Sequence, residues 1–263
     1  MSPQRPLALI TGASSGIGAD LARRFAADGY DLILSARRQA ALEQLASELK
    51  VQHNSAVVAI VADLAEANGA EQLATAVKAL NRPLDALVNN AGYGMFGEFK
   101  NSSLVEELAM MQVNMHAPVI LTKQLLPLLL ARRGKIMNIA STAAFQPGPY
   151  MSIYYATKSF LLSWSEALAE ELRDSGVTVT AICPGPIASG FQDRAAMNDS
   201  ALVKGKRLPT SAWLAAKAYR AAASGRTVYV PGLMNWLMAQ SVRFTPRRIV
   251  TLMVRLMSAP QSA

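Results

Sequence analysis

The segment Leu7-Ala8-Leu9-Ile10-Thr11-Gly12-Ala13-Ser14-Ser15-Gly16-Ile17-Gly18 decides the fold. Four apolar residues read as a short strand, and three glycines crowd the turn that leaves it. Ile17, Leu21 and Phe25 then fall on one face of a helix over 17–28, which Gly29 closes. Such a turn lets backbone amides approach a pyrophosphate closely. The helix that starts there adds free N–H groups and the positive end of its dipole. Gly12, Gly16 and Gly18 are spaced more widely than the common G-x-G-x-x-G form. A plain strand-to-helix connection is the alternative reading. The placement between an opening strand and an amphipathic helix favours a nucleotide, with Ser14, Ser15 and Ile17 completing the cradle.

The pattern repeats along the chain. Strands are expected at Asp31–Ser35, Ala56–Val61, Asp85–Val88, Lys135–Ile139, Val177–Ile182 and Thr227–Val230. Helices are expected over 39–50, 66–80, 103–131, 152–174 and 211–223. Short strands, apolar on both faces and separated by helices, indicate a parallel sheet covered on both sides. The fold class is therefore α/β: a doubly wound parallel sheet of Rossmann type with about seven strands. One catalytic domain over 1–232 and a helical extension over 233–263 account for the chain.

The residues at the carboxyl ends of these strands border the ligand crevice of such a sheet. After the second strand come Ser35-Ala36-Arg37-Arg38, with no acid to hold an adenine ribose. Arg37 and Arg38 suit a 2′-phosphate, so NADP(H) is favoured over NAD. A solvated basic start to the next helix is the bland alternative. Asp63 and Leu64 follow the third strand, where Asp63 either accepts from the adenine amine or caps the next helix. Asn89-Asn90-Ala91-Gly92 follows the fourth strand, and the small side chains there let a cofactor lie flat.

Tyr154 and Lys158 stand four apart in Ile153-Tyr154-Tyr155-Ala156-Thr157-Lys158 and share a helix face. A free phenol titrates near pH 10, and a neighbouring ammonium favours phenolate. The pair thus suits a proton donor tuned toward working pH. Tyr155 is the competing tyrosine, but four residues beyond it lies uncharged Ser159.

Taken together, these motifs resemble the short-chain dehydrogenase/reductase family, single-domain branch. The resemblance covers about residues 5–232. It rests on Thr11-Gly12 to Gly18, Asn89 to Gly92, Asn114, Ser141, Tyr154 with Lys158, and Pro184-Gly185. It implies that Tyr154 is the acid/base, that Lys158 lowers its pKa and binds the nicotinamide ribose, and that Ser141 orients a carbonyl. It further implies that Asn114 holds a water near the lysine. Pro184, Gly185, Ile187 and Ser189 would line the nicotinamide, Ser189 standing where the family often has threonine. The implied reaction is hydride transfer between NADPH and a ketone, aldehyde or secondary alcohol, in a homodimer or homotetramer. The long helix and the Tyr154 helix are the expected subunit contacts. Residues 190–197, with Met95, Phe96, Phe145 and Met151, would make a mostly apolar substrate pocket under a mobile lid.

Composition narrows the classes. The 263 residues carry a net charge of +8, yet no acid follows Asp199, and ten lysines and arginines do. A single cysteine, Cys183, excludes an intramolecular disulfide framework, and His53 and His116 lack metal spacing, so no metal is expected. No apolar run reaches the roughly 18–20 residues of a membrane span, and no signal-peptide core opens the chain. A cytoplasmic protein is the expectation. The tail from Leu233 to Met257 has two apolar helical stretches divided at Pro246 and interleaved with arginines. Subunit or lid packing is the leading reading of this basic amphipathic extension, with peripheral membrane contact as the alternative. No reading motif accompanies the charge, so nucleic acid is not expected as a partner. An NADPH-binding sensor is the alternative outside catalysis. A sugar-nucleotide epimerase or dehydratase is disfavoured for want of a larger C-terminal substrate domain.

Overall fold

The computed structural model describes residues 4–191, 195, 205 and 207–259. Seven parallel strands form one sheet: β1 (Leu7–Thr11), β2 (Asp31–Ala36), β3 (Val57–Val61), β4 (Ala86–Asn89), β5 (Lys135–Ile139), β6 (Thr178–Ile182) and β7 (Val228–Tyr229). Their spatial order is β3-β2-β1-β4-β5-β6-β7. The chain winds outward from β1 to β3, then returns to place β4 on the other side of β1. A crevice opens at the carboxyl ends of strands where the winding reverses. Thr11-Gly12 and Asn89-Asn90 therefore arrive together at that point.

The central strands are apolar on both faces because both faces are covered. Ala8 and Ile10 join the core under α1 (Gly16–Ala27), α2 (Gln39–His53) and α7 (Ser211–Ala223). Leu7 and Leu9 point the other way, into the core under α3 (Gly69–Ala79) and α5 (Ala117–Leu130). The alternation follows from the two-residue period of a strand. β3 lies at the sheet edge, and its Val58 and Val61 are exposed, so the expectation of burial on both faces fails there.

A buried polar ladder crosses the middle of the sheet. Asn89 Nδ2 donates to Asn138 Oδ1 (2.8 Å), and Asn138 Nδ2 donates to Ser165 Oγ (2.8 Å) on α6 (Ser152–Glu171). It fixes β4, β5 and α6 in one register beside the site. Asn138→Leu should remove both ladder bonds, leaving Asn89 Nδ2 its longer bond to Thr122 Oγ1 (3.3 Å) and Ser165 Oγ its bond to Leu161 O, and cost about 1–3 kcal/mol of stability. Urea denaturation monitored by circular dichroism measures it. A variant as stable as the parent would show that the ladder contributes nothing net.

Several boundaries differ from expectation. The helix expected over 66–80 begins only at Gly69, where an added Cβ would lie 2.0 Å from the Asp63 carbonyl. The helix expected over 103–131 is three pieces: α4 (Leu104–Met111), a π-helical turn Gln112–His116, and α5 with Pro118 in its first turn. The wider turn is a local hydrogen-bond feature that apolar periodicity does not register. The helix expected over 152–174 ends at Glu171, and a 3-10 turn covers Arg173–Ser175. The last strand keeps only two residues, because β7 pairs at the edge with the end of β6.

Beyond β7 lie α8 (Leu233–Ser241) and α9 (Arg247–Ser258). Val250 and Val254 of α9 pack into a cluster with Met110, Met151, Tyr154 and Tyr155. Among the described residues, no helix is long and apolar enough to cross a membrane.

Candidate active site

The glycine turn is built around Thr11 and Asn90. The Thr11 hydroxyl donates to Val88 O (3.2 Å) and accepts from the backbone N–H groups of Asn90 and Ala91 (both 3.1 Å). Asn90 Nδ2 donates to the carbonyls of Thr11 (2.8 Å) and Gly12 (3.2 Å). The two strand ends that flank the crevice are thus bound to each other. Gly12 has φ +65°, the left-handed region that favours glycine. A Cβ on Gly18 would lie 2.3 Å from Gly12 O and 2.5 Å from Asn90 Nδ2. The turn therefore stays tight enough to leave the first amides of α1 facing the crevice. No side chain caps Ser15 at the helix start. This is a cradle that a side chain would fill, with free donors at a helix N-terminus, and it suits a pyrophosphate.

The other predicted cofactor contacts gather around the cradle. Arg38 Nη2 donates to the Ser14 carbonyl (3.1 Å) and hydroxyl (3.3 Å), so a guanidinium already lies on the glycine turn. Arg37 pairs with Asp63 at 3.7 Å on the surface. Asp63 does not cap α3. It accepts from Ala65 N (3.0 Å) in a turn of its own, because the helix starts later than periodicity suggests. Leu64 is buried in the core beneath α3 and α5, and Ile17 and Ile187 pack against the core on the opposite face of the sheet. Ser189 faces the cradle, its Cβ 3.5 Å from where a Cβ on Gly16 would stand. Pro184 O accepts from Thr142 N (2.8 Å) and from the Ser141 hydroxyl (3.4 Å). Gly185 lies close to Asn235 of α8, where an added Cβ would meet its side chain at 2.8 Å.

Tyr154 and Lys158 lie on the inner face of α6, both buried. Lys158 Nζ donates to Ile139 O (2.7 Å) at the end of β5 and stands 5.7 Å from the centre of the Tyr154 ring. Asn114, in the π-helical turn, donates from Nδ2 to Tyr93 O (2.9 Å) and Thr157 Oγ1 (3.1 Å), and its Oδ1 accepts from Tyr93 N (3.2 Å). Gly92 fits between Asn114 and Lys158, since an added Cβ would lie 3.1 Å from Oδ1 and 3.5 Å from Nζ. Ser141 follows β5, and its hydroxyl caps a short 3-10 turn by accepting from Ala143 N (3.1 Å). The same hydroxyl lies by the Tyr154 phenol and favours its ionised form. Ser141, Tyr154, Lys158 and Asn114 therefore converge from three elements: the end of β5, α6 and the π-helical turn.

Electrostatics corrects one expectation. Burial pushes the Tyr154 phenol well above its usual value, the Ser141 hydrogen bond acts the other way, and Tyr155 adds to the rise. The ammonium expected to lower it stands 5.7 Å from the ring centre and is itself desolvated. Burial brings Lys158 down to about 8. Burial likewise pushes the Cys183 thiol up to about 12, as suits an inert packed residue. The two tyrosines differ in surroundings, because the group that acts to lower the Tyr155 phenol is Ser258 of α9 rather than Ser141.

The apolar side of the site is partly as expected. Met95, Phe96, Met151 and Phe191 belong to the Tyr154 cluster, and the Phe191 ring centre is 5.4 Å from that of Tyr154. Phe145 does not. It packs with Leu161, Leu162 and Cys183 behind the short turn that Ser141 caps. Most of the expected lid lies outside the described residues. Two features escaped sequence reasoning. Gly94 sits over the cleft, where a Cβ would come within 2.9 Å of Met151 and Phe191 and 3.2 Å of Tyr154; the second glycine of Gly92-Tyr93-Gly94 was the available signal. Val250 and Val254 of α9 wall the same cluster, and no local motif announces that long-range contact.

A glycine cradle at the switch point of a parallel sheet, with a buried tyrosine and lysine alongside, defines a dinucleotide-binding oxidoreductase. The comparisons agree. The family profile described as short chain dehydrogenase matches residues 6–199. The chain is 34% identical over 181 residues to the ketoacyl reductase HetN of Nostoc sp., covering 68% of this chain and 63% of that protein. It thus spans just under two thirds of that relative. It is 35% identical over 184 residues to the serine 3-dehydrogenase of Agrobacterium fabrum, covering 70% of this chain and 72% of that protein. A short-chain dehydrogenase from Sphingobium yanoikuyae, solved in complex with NADPH, superposes with a TM-score of 0.82 at 32% identity, over 91% of this chain and 94% of that one. The bulky-bulky ketone specific alcohol dehydrogenase of Comamonas testosteroni superposes with a TM-score of 0.78 at 29% identity, over 91% and 92%. The chain belongs to the short-chain dehydrogenase family.

Proposed function

We propose that the protein is an NADPH-dependent carbonyl reductase acting on an apolar ketone or aldehyde, or on the corresponding alcohol in reverse. The observation that carries this reading is the convergence of Tyr154, Ser141 and Lys158 at one crevice, with Tyr154 buried in an apolar cluster and Lys158 buried one helical turn away. Bound NADP(H) would supply or accept the hydride. Gly12, Ser14, Ser15, Gly16 and Gly18 would hold its pyrophosphate, Arg38 its 2′-phosphate, Gly92 and Lys158 its nicotinamide ribose, and Pro184, Gly185 and Ser189 its nicotinamide. The structural relative with NADPH supports the choice of coenzyme.

In this mechanism Ser141 and Tyr154 donate hydrogen bonds to the substrate oxygen and stabilise the charge that develops on it. Tyr154 then gives up its phenolic proton to the forming alkoxide. Burial keeps that proton on the phenol until a negative oxygen is beside it. Lys158 recharges the phenol, and Asn114 holds the lysine side of the site open to water. Met95, Met151 and Phe191 exclude bulk water from the reacting carbon. The exposed apolar residues Leu104, Val105 and Leu108 of α4 support a subunit contact there, in keeping with a homodimer or homotetramer. The catalytic domain is residues 1–232, and 233–263 is an extension that completes its substrate wall.

The coenzyme assignment is tested by Arg38→Ala. Its KM for NADPH should rise by about tenfold or more, while that for NADH stays within about twofold. Equal changes for both would place the 2′-phosphate elsewhere. A pH profile follows from Lys158. A lysine whose pKa is lowered to about 8 is protonated below that pH and loses its charge above it. The kcat/KM for carbonyl reduction should therefore fall as pH rises through about 8. A profile flat to pH 10 would separate the lysine from the proton path.

A further inference from the structure

We propose that the outer face of α8 and α9 docks the protein on an anionic lipid surface. Both helices are amphipathic in the inverse sense for a water-facing element. In α8 only Ala239 is buried, whereas Leu233, Met234 and Leu237, spaced as one face, are exposed. In α9 the inner stripe of Val250, Val254 and Ser258 is buried. The apolar stripe at Ile249, Leu252, Met253 and Leu256 faces outward, with Leu256 68% exposed. Phe244, in the link between the helices, is 87% exposed. A contiguous apolar surface of this kind marks an interaction site.

Charge selects the occupant. Arg243, Arg247, Arg248 and Arg255 flank this surface, and among the described residues none of them is in an ion pair. No acid occurs anywhere from residue 200 to the end of the chain. A two-fold pairing of the face with itself would set arginines against arginines with no carboxylate to offset them. An anionic headgroup layer offers the complement, and exposed Trp236 suits its interface. The same helices border a cavity of about 600 Å³ lined by Phe145, Glu166, Trp236, Val242, Arg243 and Arg247, where apolar walls adjoin two guanidinium groups and one carboxylate.

The test is co-sedimentation of the full chain with phosphatidylcholine vesicles, with and without phosphatidylglycerol, over a range of salt. The protein should pellet with the phosphatidylglycerol vesicles and be released as salt rises. The double variant Leu252→Asp/Leu256→Asp should weaken that partitioning by about tenfold or more. Both positions are exposed, so its thermal melt should match the parent. Failure of the parent to pellet, or equal pelleting with neutral vesicles, overturns the proposal. Light scattering supplies a further decisive outcome. A smaller particle for the double variant, with no vesicle binding by the parent, would make the face a protein interface.

Discussion

Replacing Tyr154 with phenylalanine is expected to lower turnover by about a thousandfold or more while NADPH affinity changes less than about threefold. The substitution removes one hydroxyl from a buried ring. That hydroxyl lies by Ser141, and the ring keeps its packing against Phe191 and Tyr155. The loss should appear in kcat, because the interaction is strongest when charge builds on the substrate oxygen. Tyr155→Phe is the internal control. Its hydroxyl lies by Ser258 of α9 rather than Ser141, so removing it should leave the chemistry within a few-fold. Steady-state kinetics and NADPH fluorescence titration on both variants decide the matter. If the Tyr155 variant were the inactive one, the assignment of the acid would be reversed.

Gly18→Ala should produce the second large effect, loss of NADPH binding by about a hundredfold or more. The new Cβ would stand 2.3 Å from Gly12 O and 2.5 Å from the Asn90 amide, and neither can yield without undoing the other. The Gly12 carbonyl is backbone, and the Asn90 amide holds the turn to Thr11. The turn must open, which moves the α1 amides away from where a phosphate would sit. The sheet beneath is held by β1 pairing with both β2 and β4, so the fold should survive. Isothermal titration with NADPH, alongside a thermal melt, separates the two effects. Tight binding by a folded variant would show that the pyrophosphate lies elsewhere.

Much of this was legible in the residues. The opening strand, glycine turn and helix, repeated as strand and helix, led to a parallel doubly wound sheet because each element carries its own period. Tyr154 and Lys158 followed from their spacing on one helix face, Ser141 and Asn114 from the family resemblance, and the fold brings the four into one crevice. What stayed illegible was long-range or depended on hydrogen-bond geometry. The π-helical turn that aims Asn114 inward leaves apolar spacing almost unchanged. The late start of α3 depends on a contact between Gly69 and the Asp63 carbonyl, which no window over 66–80 records. The turn of Phe145 away from Tyr154, and the docking of α9 on the substrate side, are tertiary choices among interchangeable apolar residues. The direction of the Tyr154 shift was misjudged for a related reason. Spacing placed an ammonium nearby, which the structure bears out at 5.7 Å from the ring centre, but the burial that raises the phenol is a tertiary property.

The most direct measurement is isotopic. The enzyme is given an apolar ketone and NADPH carrying deuterium at carbon 4, on each face of the ring in turn, and the alcohol is analysed by mass spectrometry. The account predicts deuterium on the carbinol carbon from one of the two labelled coenzymes with the parent protein, and no appreciable product with Tyr154→Phe. Alcohol formed without label from either coenzyme, or labelled alcohol formed at the parental rate by the phenylalanine variant, would contradict it.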